Sequence, residues 1–207
     1  MKKIAICAPK GGAGKTTTML ALAVHALQKK NRVAIFDFNS DQENVPDWLE
    51  ARKSAAPTLI DFENPLKDSK AIADDFDFLF SDTPPVVDDD QLVEAAVAIS
   101  DFIVIPVRPS ALDIGTMPDM VRICRERKRR FAFLLCDVTT SWKSLNQKAA
   151  EALSDMGPLF KARMTHRMAY VNAITIGKTG AEIDADCREE VAAIWTELLA
   201  KMEAANG

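Results

Sequence analysis

Short apolar runs alternate along this chain with longer helical patterns, and this alternation is the feature that most limits how the chain can fold. Near-continuous hydrophobicity is typical of strands that are covered on both faces of a sheet. The runs predict five strands, at 3–8, 32–38, 76–82, 101–107 and 131–137, and a weaker sixth at 160–166. The patterns between and after them predict helices at about 15–29, 43–53, 89–99, 116–128, 143–155 and 186–203.

Strands that alternate with helices predict a mostly parallel central sheet, flanked by helices on both faces and built with right-handed crossovers. The 207 residues contain no repeat or linker, so we predict one α/β domain over residues 1–207. Sheets of this kind bind ligands beyond the carboxyl ends of their strands. Asp37, Asp82 and Asp137 stand at three predicted strand ends, and a glycine-rich loop follows the first strand, which predicts one polar site at that edge.

Charge and cysteine content limit the possible classes of protein. The net charge of −4 means that any contact with nucleic acid has to come from a local basic patch. No two of the four cysteines share a metal-ligand spacing, and Cys7 and Cys136 lie in apolar runs, so we expect buried free thiols in a reducing compartment. The apolar segment before Pro9 is too short for a secretory signal, and no run is long enough to span a membrane, so we expect a cytoplasmic protein.

The segment "APKGGAGKTT" (8–17) lies between the first predicted strand and the first predicted helix. Its three glycines let the backbone bring N–H groups close to phosphate oxygens, and the helix that follows directs its positive end to the same place. Lys15 is expected to contact the β- and γ-phosphates of a nucleotide, and the Thr16 hydroxyl to ligate Mg²⁺. The predicted nucleotide-binding residues of the loop are Lys10, Gly11, Gly12, Ala13, Gly14, Lys15, Thr16 and Thr17.

The loop departs from the strict phosphate-loop pattern, because Pro9 stands at the first glycine position and a second lysine, Lys10, stands five residues before Lys15. This form resembles the deviant Walker A signature of the ParA/MinD family of ATPases, most closely the small plasmid-type ParA proteins. The resemblance implies the fold of a P-loop NTPase and hydrolysis of ATP with Mg²⁺. It also implies an ATP-dependent homodimer in which Lys10 reaches the ATP of the partner subunit, where a cation can neutralise developing charge.

The stretch "FDFLFSDTPP" (76–85) resembles the Walker B strand of the same family. The resemblance implies that Asp82 holds Mg²⁺ through water, since Mg²⁺ sheds its hydration shell reluctantly. The three residues that follow, 83–85, correspond to the switch that senses the γ-phosphate.

The end of the second predicted strand matches the family less well. The family typically has Asp-x-Asp-Pro-Gln there, and its second aspartate is implicated in hydrolysis, whereas this chain reads "DFNSDQ" (37–42). A match without a gap puts Asn39 at the second position, and one insertion puts Asp41 there. We predict catalytic roles for Asp37 and Asp41, beside Lys10 and Lys15, and slow hydrolysis in the absence of a partner.

Two further segments match the family. "VIPVRPSALD" (104–113) resembles the segment after its fourth strand, and "LLCDV" (134–138) resembles the strand that usually carries an asparagine near the adenine. Here Asp137 replaces that asparagine, and its carboxylate can accept a hydrogen bond from the amino group of adenine. The chain contains no Asn-Lys-x-Asp motif for guanine, so ATP is favoured over GTP.

Basic residues form two groups. "RICRERKRR" (122–130) packs six cations into nine positions, and these either solvate the end of a helix or contact DNA. The segment 163–182 resembles the small ParA pattern, which implies sequence-independent, salt-sensitive DNA binding by the ATP-bound dimer. The predicted DNA-binding residues are Lys161, Arg163, Arg167 and Lys178.

The final predicted helix carries an apolar stripe that includes Val191, Trp195 and Leu198. Its polar side is rich in glutamate, which is the wrong charge for an anionic membrane surface. We therefore predict that this helix docks on the domain and that the protein has no membrane partner.

The resemblance as a whole implies an ATP-dependent DNA segregation protein for plasmid or chromosome partition. Such a protein associates with the nucleoid when ATP-bound, and a small ParB-like DNA-binding adaptor triggers hydrolysis. Three alternatives stay open: positioning of a protein cargo, recruitment of transfer DNA to a secretion channel, and a nucleotide-binding switch that does not hydrolyse ATP.

Overall fold

The computed structural model describes residues 1–38, 44–54, 56–86 and 89–204. The strands within these ranges are β1 (Lys2–Ile6), β2 (Val33–Asp37), β3 (Thr58–Leu59), β4 (Phe78–Asp82), β5 (Phe102–Val107) and β6 (Arg130–Leu135). The α-helices are α1 (Lys15–Gln28), α2 (Asn44–Arg52), α3 (Pro65–Ala71), α4 (Asp90–Ile99), α5 (Ala111–Ile114), α6 (Met117–Glu126), α7 (Lys143–Met156), α8 (Met168–Asn172), α9 (Gly180–Ile183) and α10 (Ala185–Glu203).

The described strands form one sheet in the order β3-β2-β4-β1-β5-β6, and every pair is parallel. The predicted α/β class with a mostly parallel sheet is therefore confirmed. β1 lies between β4 and β5, so the strands that follow it first in the chain (β2, β3 and β4) lie on one side of it and the later ones (β5 and β6) on the other. Crevices at such a switch point are where α/β sheets bind ligands, and the glycine-rich loop begins there.

Two hydrophobic cores cover the two faces of the sheet, because successive strand residues point in opposite directions. In β1, Ile4 and Ile6 face a core that packs against α1, α2 and α10. Ala5, between them, faces a second core that packs against α4, α6 and α7. Both faces are buried, which is why the strands are almost continuous apolar runs.

The long elements match the prediction within a few residues, and the short ones were missed. β3 has two residues, and α5 and α9 have four each, which is too short to produce a periodic pattern. The four cysteines are buried and free, as predicted.

The predicted weak strand at 160–166 is wrong as a strand. The segment runs beside the edge strand β6 but makes only isolated bridges, Phe133 with Leu159 and Val138 with Thr165. Lys161 and Ala162 turn their N–H groups away from β6 and donate them to the Glu197 carboxylate, at 2.8 and 2.7 Å. A side chain of α10 therefore replaces the ladder at this point.

The final helix docks on the domain, as predicted. Val191, Ile194, Trp195 and Leu198 of α10 are buried in the same core as α1. Among the described residues, none of the helices combines the length and hydropathy that a bilayer-spanning segment needs.

Candidate nucleotide-binding site

The glycine-rich loop follows β1 at the centre of the sheet and leads directly into α1. Gly12 (φ 71°) and Gly14 (φ 92°) lie in the left-handed region, which glycine enters at little cost. Gly14 is also the N-cap of α1, so no capping side chain competes for the N–H groups of the first helical turn. These groups and the positive end of the helix form an anion site.

A cavity of about 290 Å³ lies at this loop. Lys15 is only 8% exposed, and its ammonium donates a hydrogen bond to the carbonyl of Lys10 at 3.2 Å. This bond helps to close the loop around the cavity. The predicted loop residues that line the cavity are Gly11, Gly12, Gly14, Lys15, Thr16 and Thr17.

Asp82 is buried, with 2% exposure, at the carboxyl end of β4. One carboxylate oxygen accepts a hydrogen bond from the Thr16 hydroxyl at 2.5 Å, and the other accepts one from the Thr83 N–H at 3.2 Å. Burial raises the pKa of Asp82 to about 7; the nearby Asp37 adds to this rise, whereas the Thr16 hydrogen bond and Lys15 oppose it. A buried carboxylate beside a second carboxylate suits a divalent cation.

The donor set at this point fits Mg²⁺, which prefers oxygen ligands and retains several waters. Thr16 and Asp82 are the residues that would hold the ion, and Asp37 lies opposite Asp82 in the register of β2 and β4. A bound Mg²⁺ would neutralise charge on the β- and γ-phosphate oxygens. The structure thus brings the predicted metal-binding residues and one predicted catalytic carboxylate together.

A second cavity, of about 310 Å³, shares Gly12, Gly14 and Thr17 with the first and has room for a nucleoside. Asp137 lies on its wall with a left-handed backbone (φ 56°). One oxygen of its carboxylate is 2.5 Å from Nδ1 of His166, which lines the same cavity. Ala13 and Thr18 also line this cavity.

The wall of the nucleoside cavity is held from behind by Glu190 of α10. Its carboxylate accepts hydrogen bonds from the N–H and hydroxyl of Thr165, at 3.1 and 2.5 Å, and from the Tyr170 hydroxyl at 2.8 Å. Arg167 completes the cluster, at 3.4 Å from Glu190 and 2.8 Å from Asp186. The cluster fixes the segment that carries His166.

Lys10 directly precedes Gly11, which lines the cavity of about 290 Å³ at the glycine-rich loop. Its ammonium donates a hydrogen bond to the carbonyl of Leu112 in α5, at 3.1 Å. That helix is anchored below by Asp113, which is 5% exposed and forms an ion pair with Arg108 at 2.8 Å. The Leu112 side chain is 79% exposed beside it. Lys10 therefore rests on its own subunit, on a surface that is partly apolar.

Two residues of the prediction cannot be placed. Asp41, the predicted second carboxylate, and Asn39, its alternative, both lie outside the described residues.

Comparison with known proteins identifies the family. The model of the CobQ/CobB/MinD/ParA nucleotide binding domain matches residues 4–194. The chain belongs to this family. The resemblance carried by the loop and by the Asp82 segment is therefore confirmed, and the match extends over nearly the whole chain.

Two curated relatives are similar from end to end, and both are named "Maintenance of carboxysome distribution protein A". The protein of Gloeobacter kilaueensis is 31% identical, over 93% of this chain and 94% of its own length. The protein of Halothiobacillus neapolitanus is 25% identical, over 95% of each chain.

Solved structures show the same fold at lower identity. Apo McdA of Cyanothece superposes with a TM-score of 0.78 at 18% identity, covering 96% of this chain and 99% of that one. A putative plasmid partition protein of Borrelia burgdorferi, bound to AMPPNP, gives 0.77 at 16% identity, covering 97% and 99%. MinD in the MinC:MinD complex of Aquifex aeolicus gives 0.79 at 16% identity, covering 97% and 96%.

Members of the ParA/MinD group in this family are ATPases that use ATP with Mg²⁺, form ATP-dependent dimers and have partner proteins. The enzyme class and the cofactors expected from the sequence are confirmed at this level. The roles assigned to single residues stay predictions, although the loop, Asp82, Asp37 and Asp137 lie at one edge of the sheet, as predicted.

The four residues predicted to bind DNA do not form one group. Lys161 and Arg163 are exposed and line a common cavity away from the nucleotide. Lys178 is exposed elsewhere, beside α2, where its carbonyl accepts a hydrogen bond from Trp48 at 2.9 Å. Arg167 is engaged by the two carboxylates described above, so it supports the nucleoside cavity.

The basic run 122–130 supports the ends of helices. The Arg125, Arg129 and Arg130 guanidinium groups donate to carbonyls at or near the carboxyl ends of α7, α4 and α10, respectively. Arg127 pairs with Glu94. Cations at helix carboxyl termini satisfy unpaired carbonyls and the helix dipole, so the structural interpretation of this run accounts for most of its charge.

Sequence reasoning missed the contact between His166 and Asp137. Contact with Asp137 depends on the path of the chain between them, and no spacing in the sequence signals it. Leu112 was missed for a similar reason, since an exposed apolar residue in a four-residue helix leaves no pattern.

Proposed function

We propose that this chain is an ATP-driven positioning protein whose cargo is a protein assembly. The observation that carries the proposal is the end-to-end similarity to two carboxysome distribution proteins, at 31% and 25% identity. The similarity spans at least 93% of this chain, so it includes the nucleotide site and the surfaces around it. Positioning of a protein cargo is therefore preferred over DNA segregation. The carboxysome is the cargo named for the relatives, and the proposal for this chain does not extend to it.

Hydrolysis of ATP is proposed to drive the positioning cycle. The loop N–H groups and Lys15 would hold the phosphates, with Thr16 and Asp82 holding Mg²⁺. Asp37 lies beside Asp82 and is proposed to position the attacking water, and Asp41 is a second candidate for the same role. Because phosphoryl transfer depends mainly on positioning and charge stabilisation, few further residues are required.

Dimerisation would complete the site. Lys10 makes a single described side-chain hydrogen bond, to the Leu112 carbonyl, and can exchange it for a phosphate oxygen of a second subunit. Leu112 and Trp142 are 79% and 57% exposed, and their burial between two copies would stabilise the dimer by the hydrophobic effect. ATP between the copies would then link nucleotide state to assembly.

Association with non-specific DNA, and hence with the nucleoid, stays a prediction, as does a small DNA-binding adaptor. With Arg167 held by Asp186 and Glu190, the predicted DNA-binding residues that remain available are Lys161, Arg163 and Lys178. They do not lie on one strip, so they give DNA segregation no specific support.

A chromosomal substitution tests the proposed function. In the source organism, Lys15→Ala should remove ATP binding, and the protein assembly that co-purifies with the wild-type chain, labelled with a fluorescent protein, should lose its regular distribution. Lys29→Ala, at the exposed end of the same helix, should leave the distribution unchanged. Plasmid loss with a normally distributed assembly would instead support DNA segregation.

A further inference from the structure

A cavity of about 480 Å³ lies between α7 and the segment 159–163, apart from the two cavities of the nucleotide site. α7 contributes Lys143 and Asn146 to one wall, and the opposite wall carries Lys161 and Arg163. Apart from Thr140 and Gln147, the rest of the lining is apolar: Leu135, Ala150, Leu159 and Phe160. The cavity is therefore apolar inside and basic around it.

The three cations of this cavity are not compensated. Lys143, Lys161 and Arg163 form no ion pair in the described part of the chain, and no acidic residue is among those that line the cavity. The other arginines all have a side-chain partner. The guanidinium groups that pair with a carboxylate are those of Arg32, Arg52, Arg108, Arg122, Arg127 and Arg167. Those that donate to a backbone carbonyl belong to Arg125, Arg129, Arg130 and Arg188. Uncompensated cations at one concave place in a chain of net charge −4 point to an anionic ligand.

The edge of the sheet adds a backbone donor to the same cavity. Phe133 uses both backbone groups on the outer edge of β6, bonding to Pro158 at 2.8 Å and Phe160 at 2.9 Å. Two residues later, the Leu135 carbonyl accepts from Met164 at 2.9 Å. The Leu135 N–H lies on the same edge, and within residues 1–38, 44–54, 56–86 and 89–204 it has no acceptor. Since Leu135 also lines the cavity, this N–H is a further donor there.

Asn146 adds one acceptor. Its side chain is 5% exposed, and its amide nitrogen donates to the Thr139 carbonyl at 2.9 Å. Its amide oxygen has no hydrogen-bond partner among the described residues. An unpaired buried acceptor is costly, so a ligand that carries an N–H donor would gain from this wall.

We propose that this cavity binds an acidic segment of a partner protein. Carboxylates match the three cations and the Leu135 N–H, the N–H groups of a peptide match the Asn146 oxygen, and an apolar side chain fills the lining. Duplex DNA presents phosphate acceptors on its outer surface and offers neither the N–H donor nor the apolar group. The chemistry of the cavity therefore favours a peptide and assigns Lys161 and Arg163 to it.

Two segments that line this cavity, the end of β6 and the segment 159–163, continue directly into the nucleotide site. Leu135 is followed by Cys136 and Asp137, and Arg163 by the segment 164–166, all of which line the nucleoside cavity. A partner bound between α7 and this segment would contact the chain that shapes the nucleotide site. The proposal rests on the proposed function only in taking the partner to be the protein that links this ATPase to its cargo.

Fluorescence anisotropy with a labelled Glu-Glu-Leu-Glu-Glu-Leu peptide tests the proposal. The wild-type protein should bind it saturably and should not bind the same peptide with glutamine in place of glutamate. Arg163→Ala and Lys161→Ala should each weaken binding about 10- to 100-fold, the loss typical of a hydrogen bond to a charged group. Lys148→Ala is the matched control, because Lys148 is exposed on α7 but does not line the cavity.

Three results would overturn the proposal. The first is no saturable binding of the peptide, and the second is equal binding by Arg163→Ala and the wild type. The third is displacement of the peptide by short duplex DNA, if the binding of that DNA also requires Arg163. Lys143→Glu provides a second variant, since this residue is exposed and reversal of its charge should abolish binding without unfolding the protein. Phosphate release from ATP is measured separately on the same proteins. Failure of hydrolysis would contradict the proposed function, and failure of peptide binding would contradict the cavity alone.

Discussion

The Lys10 ammonium and the Leu112 carbonyl form a hydrogen bond of 3.1 Å that joins the phosphate loop to α5 of the same subunit. The lysine that marks the deviant Walker A loop is thus held in place by its own chain, next to Gly11 of the cavity that is predicted to receive the phosphates. Exchange of this carbonyl for a phosphate oxygen of a second subunit would require no other described side-chain bond of Lys10 to break.

Lys10→Ala should lower ATP hydrolysis by about 100-fold or more, because a cation supplied from a partner subunit stabilises the charge of the transferred phosphoryl group. ATP should still bind to the single subunit, since Lys15 and the loop N–H groups are unchanged. Phosphate release and the binding of a fluorescent ATP analogue measure the two effects. Equal turnover by Lys10→Ala and the wild type would exclude a catalytic role for this lysine.

Asp82→Asn should abolish the dependence of ATP binding on Mg²⁺. The Thr16 hydroxyl and the Asp82 carboxylate are 2.5 Å apart, and the substitution removes the only negative charge of this pair. Thermal unfolding with ATP, in the presence and absence of Mg²⁺, gives the measurement. The wild-type protein should be stabilised further by Mg²⁺, whereas the variant should not, and an undiminished Mg²⁺ effect in the variant would count against this site.

Asp137→Asn should increase discrimination between ATP and GTP by about fivefold, or roughly 1 kcal/mol, the usual net value of a hydrogen bond. A carboxylate only accepts hydrogen bonds, whereas an amide both donates and accepts, as the edge of adenine requires. Competition of ATP and GTP for a fluorescent nucleotide measures the change. His166→Ala serves as a comparison, since it removes the neighbour of Asp137 without altering that residue. Unchanged discrimination in Asp137→Asn would place this residue away from the base.

His25→Leu should stabilise the protein by about 1–3 kcal/mol, because both ring nitrogens of this buried histidine lack partners in the described structure. Its ring packs at 5.7 Å from that of Trp195, and burial, assisted by Lys29, lowers the pKa of His25. A lowered pKa means that the unfolded chain binds the proton more readily, so wild-type stability should fall as the pH drops below about 6.5.

Urea unfolding at neutral and mildly acidic pH measures this difference. The free energy of unfolding should depend less on pH in His25→Leu than in the wild type. The same pH dependence in both proteins would show that His25 does not titrate on unfolding.

Sequence reasoning predicted the long elements and the phosphate loop because each is formed by one continuous stretch of the sequence. β4 and Asp82 follow from one apolar run that ends in a carboxylate, and Gly14-Lys15-Thr16 follows from the turn that must join a strand to a helix. The prediction of a strand at 160–166 was wrong because Glu197, a residue of α10, takes two N–H groups that a ladder would have used.

Other features depend on where distant parts of the chain meet. His166 contacts Asp137 across 29 positions, and Arg167 is neutralised by carboxylates of α10. From the sequence alone, Arg167 is therefore taken to be a cation that is available to bind DNA. The cavity beside α7 is a similar case, since its donors come from β6, α7 and the segment 159–163.

Control of assembly by ATP is the central claim, and the mass of the purified protein in solution tests it most directly. Analytical ultracentrifugation of the wild type and of Lys10→Ala is run with ATP and Mg²⁺, with ADP, and without nucleotide. We predict that the wild type is a dimer with ATP and Mg²⁺ and a monomer in the other two conditions. Lys10→Ala should be a monomer in all three. A wild-type protein that keeps one mass in all three conditions would contradict the claim.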